Sequence, residues 1–145
     1  MPGIRFRLIG TLSVALTLQA EVAFSHKRHA PLKLDCAYCH TTAKTGERAS
    51  YPDVGTCKLC HPHQAGLPNA GPVAPARSMY MLADFVFFSH ARHWTANIPC
   101  QTCHGNVWQQ DMIVQAMPMT MKACITCHKN SHAKVGCTTC HELNQ

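Results

Sequence analysis

Hydrophobic positions are unevenly spread along this chain of 145 residues. The longest apolar run, Leu8 to Leu18, sits at the start behind Arg5 and Arg7, and the small residue Ala20 closes it. A basic start, an apolar stretch and a small residue make the pattern of a secretory signal peptide over 1–20, cut after Ala20, with Ala23 as a second candidate. The run is too short for a bilayer, which needs about 20 apolar residues, so no membrane-spanning segment is expected. Further on the pattern is sparse. Phe85-Val86-Phe87-Phe88 is β-prone and predicts one short strand. Asn106 is placed to cap a helix through Val107, Trp108, Met112 and Ala116, ended by Pro118, with Trp108, Met112 and Ala116 on one face. Leu67 to Ala76 carries Pro68, Pro72 and Pro75 beside Gly66 and Gly71, which reads as an irregular linker. The whole predicts a mainly irregular chain with short α-helices.

Such a pattern raises the question of what would fill the core. From Glu21 to Gln145 the chain has 125 residues, of which 20, or 16%, are Leu, Ile, Val or Phe. That is below the level of about 20% at which ordinary chains begin to look disordered. The polypeptide alone has too little apolar surface to fold on.

The cysteines supply an answer. All ten fall in five CxxCH motifs: Cys36/Cys39/His40, Cys57/Cys60/His61, Cys100/Cys103/His104, Cys124/Cys127/His128 and Cys137/Cys140/His141. Two thiols three residues apart form thioethers with the two vinyl groups of a haem, and the next histidine binds the iron from the proximal side. A lone CxxC also fits a disulfide, a zinc site or a redox pair. None of these gives a reason for histidine to follow the second cysteine every time. The motifs therefore imply five covalently attached haem c, and the missing core would be porphyrin, with folding dependent on it. Attachment of this kind agrees with export to the periplasm or beyond.

Charge then changes meaning. The formal net charge of +6 falls to +4 once Arg5 and Arg7 leave with the signal peptide. Haem propionates would reverse its sign, so the basic balance does not point to nucleic acid as a partner.

The chain also repeats itself. Phe24-Ser25-His26-Lys27-Arg28-His29 returns as Phe88-Ser89-His90-Ala91-Arg92-His93, five of six residues identical. In both copies the first histidine lies ten residues before the first cysteine of a motif, and a second motif comes at a similar distance. This is module duplication. It divides the mature chain into a dihaem module at 21–66, a linker at 67–84 and a trihaem module at 85–145.

FSHxxH followed after that gap by CxxCH resembles the class III multihaem cytochromes, the cytochrome c(3)/c(7) family. The resemblance implies a small fold organised around closely packed haems, each iron held by two histidines, in two tandem modules. It implies that His26 is the distal ligand of the Cys36/Cys39 haem and His90 of the Cys100/Cys103 haem. It further implies that His29 serves the Cys57/Cys60 haem and His93 the Cys124/Cys127 haem, so that one strand of chain holds two irons side by side. Trihaem relatives take the distal ligand of the last haem from a histidine just before the preceding motif, and here that stretch has Met117, Met119 and Met121 instead. A thioether is an alternative axial ligand, so Met121, with Met119 behind it, competes with His132 and His63 for the Cys137/Cys140 haem. The methionines equally suit packing on a porphyrin face.

The function implied is electron transfer between a redox protein donor, such as a membrane quinol-oxidising complex, and an acceptor, rather than catalysis. Two alternatives stay open: a small reductase with one open haem site, and a subunit that self-assembles into a conducting filament.

Overall fold

The computed structural model describes residues 24–63, 67, 69, 71–73 and 78–141. The signal peptide expected over 1–20 and most of the Pro-rich stretch lie outside the described residues.

Seven short helices carry the described chain: α1 (His26–His29), α2 (Cys36–Cys39), α3 (Val54–Lys58), α4 (His90–Thr95), α5 (Gln101–His104), α6 (Met121–Asn130) and α7 (Cys137–Cys140). Single 3-10 turns at Ala30–Leu32, Thr41–Lys44 and Val107–Gln109 complete them. Isolated helices this short are not stable in water, and caps and tertiary contacts hold them. Side chains of Ser25, Asp35, Asp53, Ser89 and Thr120 each accept a bond from a backbone N–H of the helix they start. Each satisfies a donor that the first turn would otherwise leave without a partner.

The FSHxxH segments are helical turns, not extended strands, because Ser25 and Ser89 start a helix at the next residue. The Phe85–Phe88 run does not build a strand either: Val86 pairs singly with His141, and Phe87 N–H donates to the Cys140 carbonyl at 2.8 Å. Its partner is the end of α7, where, among the described residues, His141 is the one extended residue after the helix. The helix expected from Asn106 to Pro118 stops at Gln109. Gln110 turns extended, its carbonyl accepts from Lys27 N–H at 3.1 Å, and the Tyr80 hydroxyl takes the Ala116 N–H at 2.9 Å. Tertiary partners claim the backbone groups that a helix would have used.

The two repeats pack reciprocally. Helix α1 of the first lies on Val107–Gln109 of the second, and α4 of the second lies on Thr41–Lys44 of the first. Ser25 Oγ donates to Asp111 Oδ1 at 2.7 Å. In the opposite sense His90 N–H and Ala91 N–H donate to the carbonyls of Glu47 and Gly46 at 3.1 and 3.0 Å, and Lys44 Nζ stands 4.3 Å over the Trp94 ring. Among the described residues, Val54 is the buried apolar side chain and Ser25 the buried polar one. Phe24, Leu59, Phe85, Trp94 and Met121 are all well exposed. The protein's own side chains do not make a core, as the composition anticipated.

Candidate functional site

Each FSHxxH segment brings its two histidines to two different CxxCH histidines. The His26 and His40 rings lie 6.3 Å apart, centre to centre, and are inclined by 11°. His90 and His104 repeat this at 6.3 Å and 13°. His29 faces His61 at 6.0 Å and 68°, and His93 faces His128 at 6.1 Å and 54°.

Those separations test whether haem iron fits. Two metal–nitrogen bonds of about 2 Å each, plus about 1 Å from each ring centre to its nitrogen, sum to about 6 Å. All four pairs have that spacing. Among the described residues no three of His, Cys, Asp and Glu converge on one metal-sized point, as a tetrahedral zinc site would require. No two of the ten cysteines are joined in a disulfide, and each pair lies on or beside the short helix of its motif. Paired imidazoles beside paired thiols suit haem c and do not suit zinc or disulfides.

Backbone carbonyls hold the rings. Nδ1–H of His29 donates to Ser25 O at 2.8 Å, that of His93 to Ser89 O at 2.8 Å, and that of His40 to Ser50 O at 2.7 Å. His90 donates to Glu47 O at 2.8 Å, and His128 to Lys134 O at 2.7 Å. A carbonyl can only accept, so Nδ1 carries the proton and Nε2 keeps the lone pair a metal needs. Burial, with smaller effects from His40 and His29, lowers the pKa of His26 below the usual imidazole value. Burial, with His90 and His40 beside it, does the same for His104. Both effects favour the neutral, metal-binding form.

Phe24 stacks on His29 at 4.5 Å and 25° and meets His26 edge-on at 4.8 Å and 86°. Phe88 does the same for His93 and His90, at 4.6 Å and 26° and at 4.8 Å and 87°. One phenyl ring thus sets two imidazoles nearly at right angles. Sequence reasoning gave these phenylalanines no role, though their identity across the repeat was the signal. Tyr80 was also missed, in a span read as linker. Its hydroxyl donates to Cys103 O at 2.9 Å and its ring lies 4.7 Å from His104. Trp108 stands 6.0 Å from His26.

Sulfurs of different motifs lie near one another. Burial raises the Cys39 thiol pKa and Cys57 adds to it, while burial and then Cys100 raise Cys36. Burial, then Cys127 and Cys124, raise Cys103, and burial and then Cys140 raise Cys124. The Cys57 and Cys36 motifs, the Cys36 and Cys100 motifs, the Cys100 and Cys124 motifs, and the Cys124 and Cys137 motifs thus each have sulfurs close enough to influence one another.

The fifth motif differs. Phe85 lies 5.8 Å from the His141 ring, and among the described residues no imidazole faces His141 at the spacing of the four pairs. His63 and His132 are both exposed, and His132 sits just past the end of α6 at a φ of 55°. Met121, the first residue of α6, is exposed.

No helix among the described residues is long and apolar enough to cross a membrane. No curated protein matches the chain. Residues 86–142, which hold the whole second FSHxxH copy and three CxxCH motifs, match the family model described as cytochrome c7 and related cytochrome c, so this part of the chain is similar to electron carriers with covalently bound haem c.

Proposed function

We propose that the chain is an exported pentahaem c-type cytochrome that passes single electrons between redox proteins, from a donor such as a membrane quinol-oxidising complex to a reductase or extracellular acceptor. The observation that carries this reading is the set of four imidazole pairs at 6.0–6.3 Å, each joining an FSHxxH histidine to a CxxCH histidine. Haem c, when attached, supplies a one-electron iron couple, and an iron bound by imidazole on both sides has no open position for a substrate.

The chain's residues do the rest. Cys36/Cys39, Cys57/Cys60, Cys100/Cys103, Cys124/Cys127 and Cys137/Cys140 are the attachment pairs. His40, His61, His104, His128 and His141 are the proximal ligands, with His26, His29, His90 and His93 as distal ligands of the first four. Carbonyls of Ser25, Ser50, Ser89, Glu47 and Lys134 fix ring tautomers and raise ligand basicity, which favours the oxidised iron and a low potential.

Mass spectrometry and low-temperature EPR of the oxidised, haem-matured protein test this. Five haems by mass and at least four low-spin irons are expected. High-spin signals from two or more irons would overturn the carrier reading in favour of a reductase.

A further inference from the structure

His29, His40, His90, His93 and His128 each have Nδ1–H held by a backbone carbonyl. Among the described residues His104 has no such bond. Tyr80 stands against its ring instead, at 4.7 Å and 70°. This tyrosine comes from 67–84, the span expected to link the two repeats, and it lies outside the residues 86–142 that match the family model.

The contact is anchored on several sides. The Tyr80 hydroxyl donates to Cys103 O at 2.9 Å and accepts from Ala116 N–H at 2.9 Å, so the phenol uses both its donor and its acceptor and the ring has a fixed place. The carbonyl it binds belongs to the residue just before His104. One side chain therefore touches the imidazole and also the backbone that carries it. Ser78 Oγ donates to Tyr80 O at 2.9 Å and holds the incoming chain. Beyond His104, Gly105 lies so close to Ala116 that a Cβ there would come within 2.9 Å of the Ala116 Cβ. Tyr80, residues 103–105 and Ala116 thus form one cluster from three separate stretches of chain.

The first repeat does without this device. There His40 gives its Nδ1 proton to Ser50 O at 2.7 Å, yet His26 and His40 have the same separation and nearly the same tilt as His90 and His104. One geometry is reached beside a carbonyl in one repeat and beside a tyrosine in the other.

We propose that Tyr80 is a positioning residue for the Cys100/Cys103 site: it sets the plane of the His104 imidazole and so keeps it close to parallel with His90. The inference rests on the pentahaem reading. A ligand whose plane is held by outer contacts needs little reorientation when the iron changes charge, which suits a site that passes electrons.

Low-temperature EPR of the oxidised holoprotein, with haem counting by mass, tests this in Tyr80→Leu and Tyr80→Phe. In Tyr80→Leu five haems remain, and one of the two near-parallel signals moves to a higher largest g value while the other stays. Tyr80→Phe keeps the ring but not its anchors, so the signal keeps its position and broadens. Double variants assign the site. The near-parallel signal that survives in His26→Met moves when Tyr80→Leu is added, and the one that survives in His90→Met does not. Unchanged EPR in a five-haem Tyr80→Leu protein overturns the proposal even if the melting temperature falls, because Tyr80 would then only hold the turn. Shifts at several sites at once overturn it as general loosening, and so does a wild type with no near-parallel signal. Where Tyr80→Leu loses haem, Tyr80→Phe decides: a broadened signal supports the proposal and an unchanged one overturns it. A wild-type mass of fewer than five haems overturns the parent reading separately.

Discussion

The two FSHxxH segments differ at one residue and build nearly the same geometry. Their first pairs are equal at 6.3 Å and close to parallel, their second pairs are at 6.0 and 6.1 Å and strongly crossed, and one phenylalanine sits against both histidine rings of the segment in each. Around their second motifs the two repeats diverge. In the first repeat α3 ends at Lys58, before Cys60. In the second, α6 runs for ten residues, carries the whole Cys124 motif and leads on to α7. Six residues and a fixed gap are thus enough to define two imidazole pairs, whereas the additional motif has no copy of that code and no imidazole across from it. The repeats are also not independent, since each packs on the turn after the other's first motif.

The largest expected effect separates the repeated sites from the added one. Changing Cys100 and Cys103 to Ala removes a group whose motif has sulfurs near both the Cys36 and the Cys124 motifs, and the product should be protease-sensitive throughout both repeats. Changing Cys137 and Cys140 to Ala should leave a four-haem, protease-resistant protein. Limited proteolysis with haem counting by mass checks both, and a compact product from the first variant would show that the polypeptide supports itself.

Ligand replacement tests the equivalence of the pairs. His26→Met and His90→Met should each raise the potential of one haem, visible as one wave moving up in a redox titration. Each should also remove one EPR signal of the near-parallel type. Crossed imidazoles leave the iron dπ orbitals nearly degenerate and raise the largest g value, so the wild type should show two classes of low-spin signal in equal amounts from these four sites. A single class would break the comparison.

Smaller effects concern the caps and the turn. Ser25→Ala should cost about 2 kcal/mol and Ser89→Ala about 1 kcal/mol in denaturation. Both lose a helix cap, but Ser25 is buried and also holds Asp111. Gly105→Ala should cost about 1–3 kcal/mol. Its φ is 66°, and a Cβ there would meet the Ala116 Cβ at 2.9 Å. Least of all, Lys44→Ala should cost below about 1 kcal/mol, because its ion pair with Asp35 at 3.2 Å is largely exposed.

Much of the candidate site was legible because its chemistry is local. Two thiols and a histidine within five residues must lie on one turn, and the ten-residue gap from His26 and His90 singled out by repetition the histidines whose rings face His40 and His104. The second distal pairs, His29 with His61 and His93 with His128, were reached through the family resemblance, and their rings lie at the right spacing. The strand at Phe85–Phe88 and the helix after Asn106 were not legible as they stand. Both stretches give their backbone groups to distant partners, Cys140 and His141 in one case, Lys27 and Tyr80 in the other. Propensity is weak beside a specific long-range bond.

By itself the sequence determined how many CxxCH motifs there are, which histidine closes each, and that side chains alone would not fill a core, since composition and spacing are properties of the chain. Only the tertiary structure decided how the rings face one another, which carbonyl holds each Nδ1 proton and how the repeats interlock. It also decided that His141 stands without an imidazole opposite. These depend on residues tens of positions apart meeting in space, as Glu47 meets His90 and Ser25 meets Asp111, and no local pattern encodes that meeting.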